Sequence, residues 1–151
     1  MGKEKIYLDT SVVSAYYDKR VKERQRETVK FWKEILSQYH ACVSDITIQE
    51  IINTPDDALR KRLQNLIEGV QILKVNRKIN VLANNYIEEG IFANKYIYDA
   101  MHVAVASFYE VPYLLSWNFR HLVKVKTRKL VSSVNILKGF REIEIILPTE
   151  L

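Results

Sequence analysis

The chain of 151 residues has a single cysteine, four glycines and three prolines. One thiol, Cys42, excludes an internal disulfide and a cysteine-built zinc site, and it fits a reducing compartment. Cys42 itself reads as a strand core residue rather than a nucleophile. Glycine and proline are too sparse and scattered to make a linker, and no stretch has the composition of a disordered segment. With nearly half its residues apolar, a chain of this length can bury a full core, so one domain over residues 1–151 is expected.

A long uninterrupted apolar run is also missing. The longest, Ala100 to Trp117, is broken by His102, Glu110 and Pro112, and reads as a buried helix followed by a strand. The first residues, Met1-Gly2-Lys3-Glu4-Lys5, lack the apolar core and cleavage site of a secretory signal. A cytoplasmic location with no membrane association is therefore expected. Acidic residues are outnumbered, 18 against 23 Lys and Arg, and the net charge of +5 admits an anionic partner without identifying one.

What is present is a regular alternation of strands and helices. Lys5 to Leu8 is a β-rich run ending on Asp9, after which Thr10 or Ser11 can cap a helix beginning near Val12. From Val21 to Tyr39 the positions Val29, Phe31, Trp32, Ile35 and Leu36 follow helical spacing beneath a basic outer face. His40 to Val43 reads as a second strand, and Ser44 or Asp45 opens a short helix that carries Glu50. A helix over Ala58 to Ile67, ended by Gly69, leads to a third strand at Val70 to Val75. Further helices are expected at Ile79 to Glu89, Tyr98 to Tyr109 and Lys126 to Leu137, with strands at Tyr113 to Ser116 and Ile143 to Leu147. Such alternation predicts a central parallel sheet of about five strands in a three-layer α/β/α sandwich. Ligands in these folds bind beyond the carboxyl ends of the strands, where Asp9 and Asn118 fall.

Three acids stand out by their company. Asp9 emerges from the buried run Ile6-Tyr7-Leu8; it either caps the helix at Val12, pairs with a lysine, or awaits another positive group. Glu50 lies among Ile48, Ile51 and Ile52, as a solvated helix residue or as one turned partly inward. Asp99 opens a helix so apolar that it must serve as the N-cap or find a partner. If all three converge at one sheet edge their charges repel, and a hard cation relieves that repulsion.

Four stretches resemble the PIN-domain ribonucleases, whose largest bacterial and archaeal group is the toxins of VapBC toxin–antitoxin pairs: Tyr7 to Ser11, Ser44 to Glu50, Asp99 to Ala106 and Leu114 to Leu122. They occur in family order and span most of the chain. The resemblance implies that Asp9, Glu50 and Asp99 hold Mg²⁺ or Mn²⁺, with the hydroxyl of Thr10 or Ser11 near the ion. It puts Asn118 at a fourth catalytic position, Asp or Asn in the family, and His121 where an acid is often found three places later. This departure removes negative charge. The implied activity is hydrolysis of RNA phosphodiesters, as the toxin of a type II pair with an antitoxin partner and as a homodimer.

Two alternatives stay open beside it. A catalytically weak or inactive PIN-like domain that binds RNA or protein is favoured by Asn118 and His121 and opposed by the three retained carboxylates. A phosphotransferase with an aspartyl nucleophile would carry a second Asp two places after Asp9, where this chain has Ser11. For substrate, Arg120, Lys124 and Lys126 adjoin the Asn118 loop and are the chosen phosphate contacts, with Thr10, Ser11 and His121 bordering the site. Trp117 and Phe119 either stack on bases or serve the core. His102 shares a helix face with Asp99 and reads as a buried, hydrogen-bonded histidine rather than a catalytic one. An antitoxin segment is expected to dock in an apolar groove near Val12, Val13, Tyr16 and Tyr17.

Overall fold

Ile6, Tyr7 and Leu8 are fully buried in succession, as only a strand covered on both faces can be, and so β1 (Lys5–Leu8) lies at the centre of the sheet. The structure is a computed structural model and describes residues 2–151. Strand β1 pairs with β2 (His40–Ser44) on one side and β4 (Tyr113–Leu115) on the other. The edges are β3 (Gln71–Leu73) and β5 (Glu144–Ile146), giving the order β3-β2-β1-β4-β5 with every pair parallel.

Helices cover both faces. Tyr7, Cys42, Leu114 and Ile145 point to a core shared with α5 (Arg77–Glu88), α6 (Ile97–Phe108) and α7 (Val125–Lys138). Ile6, Leu8, Val43, Leu115 and Ile146 face the opposite core, built with α1 (Thr10–Ser14), α2 (Lys22–Lys30), α3 (Asp45–Ile52) and α4 (Asp57–Leu66). This is the three-layer α/β/α sandwich with five parallel strands that the alternation predicts. Among the described residues no helix is long and apolar enough to cross a membrane.

Three local expectations are corrected. Helix α1 begins at Thr10, two residues before Val12, with Asp9 in the N-cap position, so neither Thr10 nor Ser11 acts as the cap. The helix over Val21 to Tyr39 changes pitch: α2 runs into a π-helical turn at Phe31–Ile35 and a 3₁₀ turn at Leu36–Gln38. Trp32, in the wide turn, donates its indole N–H to Val12 O at 3.1 Å. Finally, the groove expected at Val12 and Val13 is closed, because the immediate strand-to-helix turn at Asp9 packs both valines into the core; only Tyr16 and Tyr17 are half-buried.

The topology fixes where a site can form. The chain builds outward from β1 through β2 to β3, then returns across the centre to lay β4 and β5 on the other side. Strand order therefore reverses between β1 and β4, leaving a crevice beyond their carboxyl ends. The ladder holds to the rim of that crevice: Asp9 N donates to Leu115 O and Ser116 N to Ile146 O, each at 3.0 Å.

Candidate active site

Asp9 sits at this rim, almost wholly buried, and its side chain does not cap α1. One carboxylate oxygen, Oδ2, accepts from Ser11 Oγ at 2.8 Å and from Ser116 Oγ at 2.6 Å. The same hydroxyls take the backbone N–H groups of the following loop: Trp117 N donates to Ser11 Oγ and Asn118 N to Ser116 Oγ, both at 2.9 Å. Two serines thus lock the end of β1 to the end of β4. No lysine pairs with Asp9 among the described residues.

Glu50 reaches the same place from α3. Ser44 starts that helix with a capping box, its hydroxyl accepting from Ile46 N. A turn and a half later Glu50 Oε1 accepts from Thr10 Oγ1 at 2.7 Å and lies 2.7 Å from His102 Nε2. His102 Nε2 also lies 3.5 Å from Asp9 Oδ1. Because its neighbours there are carboxylates, Nε2 carries a proton. The other ring nitrogen is 2.6 Å from the hydroxyl of Tyr7, which in turn is 2.7 Å from Ser44 Oγ. Phenol, imidazole and serine are all fully or almost fully buried, and each finds a partner, as buried polar groups must.

Asp99 is the third residue of α6, not its N-cap, which is Tyr96. The N-terminal position still suits an acid, since the helix dipole is positive there. Its one side-chain bond comes from Asn118 Nδ2, long at 3.3 Å. Asn118 is held by its other end, Oδ1 accepting from His121 N at 3.0 Å. An amide therefore gives Asp99 a donor where a carboxylate would add charge. His121 packs its ring on Tyr96, with centroids 3.9 Å apart, and makes no ion pair with the acids among the described residues.

The electrostatics match this geometry. Burial pushes the Asp99 carboxyl up to about 6, helped by the charges of Asp9 and Glu50 and opposed by His102 and the Asn118 bond. For His102 burial alone lowers basicity, yet the Glu50 bond and the charges of Asp9, Glu50 and Asp99 raise it above the ordinary histidine value. The set has three carboxylates and one imidazole to offset them. Among the described residues no three His, Cys, Asp or Glu side chains are spaced to close around a metal ion. The donor chemistry nevertheless suits a hard divalent cation: Asp99 has no cationic bond partner, and such an ion can be held by one or two carboxylates with waters completing the shell.

Sequence reasoning named Asp9, Thr10, Ser11, Glu50, Asp99 and Asn118, and all six meet in this crevice. It did not single out Tyr7 or Ser116, took Ser44 only as the start of a helix, which it is, and read His102 as the buried, hydrogen-bonded histidine found here. A tyrosine inside a run buried on both faces is the one signal that could have pointed to them, since its hydroxyl needs a partner. Arg120, Lys124 and Lys126 are exposed beside the Asn118 loop, with no ion pair among the described residues. Trp117 is a core residue, its indole N–H donating to buried Thr28 at 2.9 Å, whereas Phe119 is half exposed.

Residues 6–121 match the model of the PIN domain. Among solved structures the chain is similar to the crystal structure of FitAcB from Neisseria gonorrhoeae, at 15% identity and a TM-score of 0.60, over 97% of this chain and 99% of that one. No curated protein matches.

Proposed function

The chain belongs to the PIN domain family, and from that premise we propose that it is a divalent-metal-dependent ribonuclease hydrolysing RNA phosphodiesters. The observation that carries the reading is the meeting of Asp9, Glu50 and Asp99 around one buried histidine at the sheet's switch point. Family members are generally nucleases. The preference for RNA, for Mg²⁺ or Mn²⁺, and for cleavage within the strand belongs to the proposal.

Asp9 and Asp99 would hold the cation, and Glu50 would act on it directly or through water. When bound, such an ion would activate water as the nucleophile and offset the negative charge that builds on the phosphate. Ser11 and Ser116 fix the rotamer of Asp9 by saturating Oδ2, which leaves Oδ1 for the crevice. Asn118 plays the same part for Asp99, with its amide donating to one oxygen. His102, anchored by Tyr7, holds Glu50 in place and limits the repulsion among the acids. Lys124, Lys126 and Arg120 supply positive charge for the phosphates.

The test is cleavage of a defined RNA by purified protein with Mg²⁺, with Mn²⁺ and with chelator, for the wild type and for Asp9→Asn. Metal-dependent cleavage that the substitution abolishes is expected. RNA binding without cleavage under every metal would move the chain to the non-catalytic alternative, and hydrolysis of small phosphomonoesters alone would move it to the phosphotransferases.

The toxin role, the antitoxin partner and the homodimer follow from the likeness to the VapBC toxins and are part of the proposal. Expression in a sensitive host should arrest growth, with relief by the product of an adjacent short reading frame. Unimpaired growth at full expression would remove the toxin role and leave the nuclease intact.

A further inference from the structure

A cavity of about 480 Å³ opens directly beside the acidic crevice and shares Ser11 and Asn118 with it. The volume lies within the range of about 300–1,000 Å³ that suits a small ligand. Its lining is unlike that of the crevice: Arg20, Arg24 and Arg120 with the rings of Trp117 and Phe119. The one acid among them, Asp18, is committed to Arg20, whose Nε and Nη2 donate to it at 3.0 and 2.9 Å. Arg24 and Arg120 form no ion pair among the described residues.

The arrangement has two parts with different uses. Trp117 is tied inward to Thr28 and forms the floor. Phe119 stands on that floor, 51% exposed, with the guanidinium of Arg24 centred 6.0 Å from its ring and 5.9 Å from that of Trp117. An exposed aromatic ring beside unpaired guanidinium groups is what a nucleotide recognises: the base stacks and the phosphate meets arginine.

Resting on the nuclease reading, we infer that this cavity is a nucleotide subsite which stacks one unpaired base of single-stranded RNA on Phe119 next to the phosphodiester in the crevice. A base inside a duplex keeps its faces against its neighbours and cannot reach the ring. The cavity therefore selects single strands, and Arg24 and Arg120 contact the flanking phosphates.

The experiment measures binding of a fluorescein-labelled ten-nucleotide single-stranded RNA, the same RNA with one abasic ribose, and a blunt RNA duplex, all without divalent metal. Phe119→Ala should weaken single-strand binding about 10- to 100-fold, the worth of one base stack. Phe119→Trp should restore it, and the abasic position that costs the wild type most should cost Phe119→Ala nothing more. Arg24→Gln should weaken all single strands alike. Circular dichroism melts confirm that each variant folds. Equal affinity of the wild type and Phe119→Ala, equal affinity for duplex and single strand, or no saturable binding by the wild type would each overturn the subsite. Cleavage is assayed separately: a wild type that cleaves, with Phe119→Ala binding unchanged, sinks the subsite alone. A Phe119→Ala binding defect in a protein that never cleaves sinks the nuclease reading alone.

Discussion

Helix α6 carries two buried polar networks, one on its first half and one on its last turn. In the last turn Ser107 donates to Val103 O at 2.8 Å and accepts from Asn135 Nδ2 at 2.9 Å, while Tyr86 donates to Asn135 Oδ1. Asn135 also donates to Arg141 O at 3.0 Å, so the network ties α5, α6 and α7 together. Every member is neutral and every strong donor is used. On the first half, His102 and Asp99 belong to a network with three carboxylates and one imidazole, in which Asp99 has a single side-chain bond of 3.3 Å and a carboxyl that burial raises. Closed neutral networks lock a fold; charged networks short of cations store the capacity to bind one.

Asp9→Asn tests that contrast most severely. Cleavage should fall on the order of 10²- to 10³-fold, the worth of several kcal/mol of metal-borne stabilisation, while thermal stability holds or rises. A large loss of stability with cleavage retained would place Asp9 with the structural network instead.

Next in size is His102→Gln, which keeps a hydrogen-bonding side chain but cannot hold Tyr7 and Glu50 together as the imidazole does. Activity should drop roughly 10- to 100-fold, as for groups that orient metal ligands, with a matching rise in the metal concentration needed. Titration calorimetry with Mn²⁺ separates this from a general packing defect, which would leave metal affinity unchanged.

The neutral network should answer in the opposite currency. Asn135→Ala removes the bonds to the Tyr86 hydroxyl, Ser107 Oγ and Arg141 O and leaves Tyr86 only a long contact of 3.3 Å to Ser107, costing about 1–3 kcal/mol in urea unfolding. Specific activity of the folded fraction should match the wild type. If cleavage falls as well, the two ends of α6 are not independent.

The smallest effect is a pH dependence. The carboxyl of Asp99, ordinarily at 3.8, is pushed up to about 6 in the folded chain. Folding therefore favours its protonated form: the stabilisation is full below about pH 4 and is lost as pH rises through about 6. Without divalent metal, Asp99→Asn should melt above the wild type at pH 7 to 8, by on the order of 1 kcal/mol after allowing for solvent screening, and the gap should close toward pH 4. A gap that is constant with pH would mean that Asp99 carries no uncompensated charge.

How much of the site could be read in advance depends on the kind of relation that defines each residue. Asp9 and Asp99 were marked locally, one by the apolar run before it and one by the apolar helix after it. Asn118 and Glu50 needed the family pattern, since neither position is unusual by itself. Tyr7 and Ser116 gave almost no local sign, and Ser44 and His102 showed only a helix start and a buried position, because the partners they meet lie across 37, 95 and 107 residues of chain. Ser44 caps α3 as expected, whereas the start of α1 was misplaced for a related reason: Ser11 was free to cap a helix in sequence terms, but Asp9 and Trp117 claim its hydroxyl in the folded chain.

By itself the sequence determined the layers, the parallel sheet and the positions of the first acids, because side-chain periodicity and strand ends are local properties fixed by burial. Tertiary structure alone decided which hydroxyls hold Asp9, that one histidine stands among three carboxylates, and that Trp117 serves the core while Phe119 stays open. These are outcomes of packing, where a polar group's partner is whichever group the sheet order brings within about 3 Å, however distant in the chain.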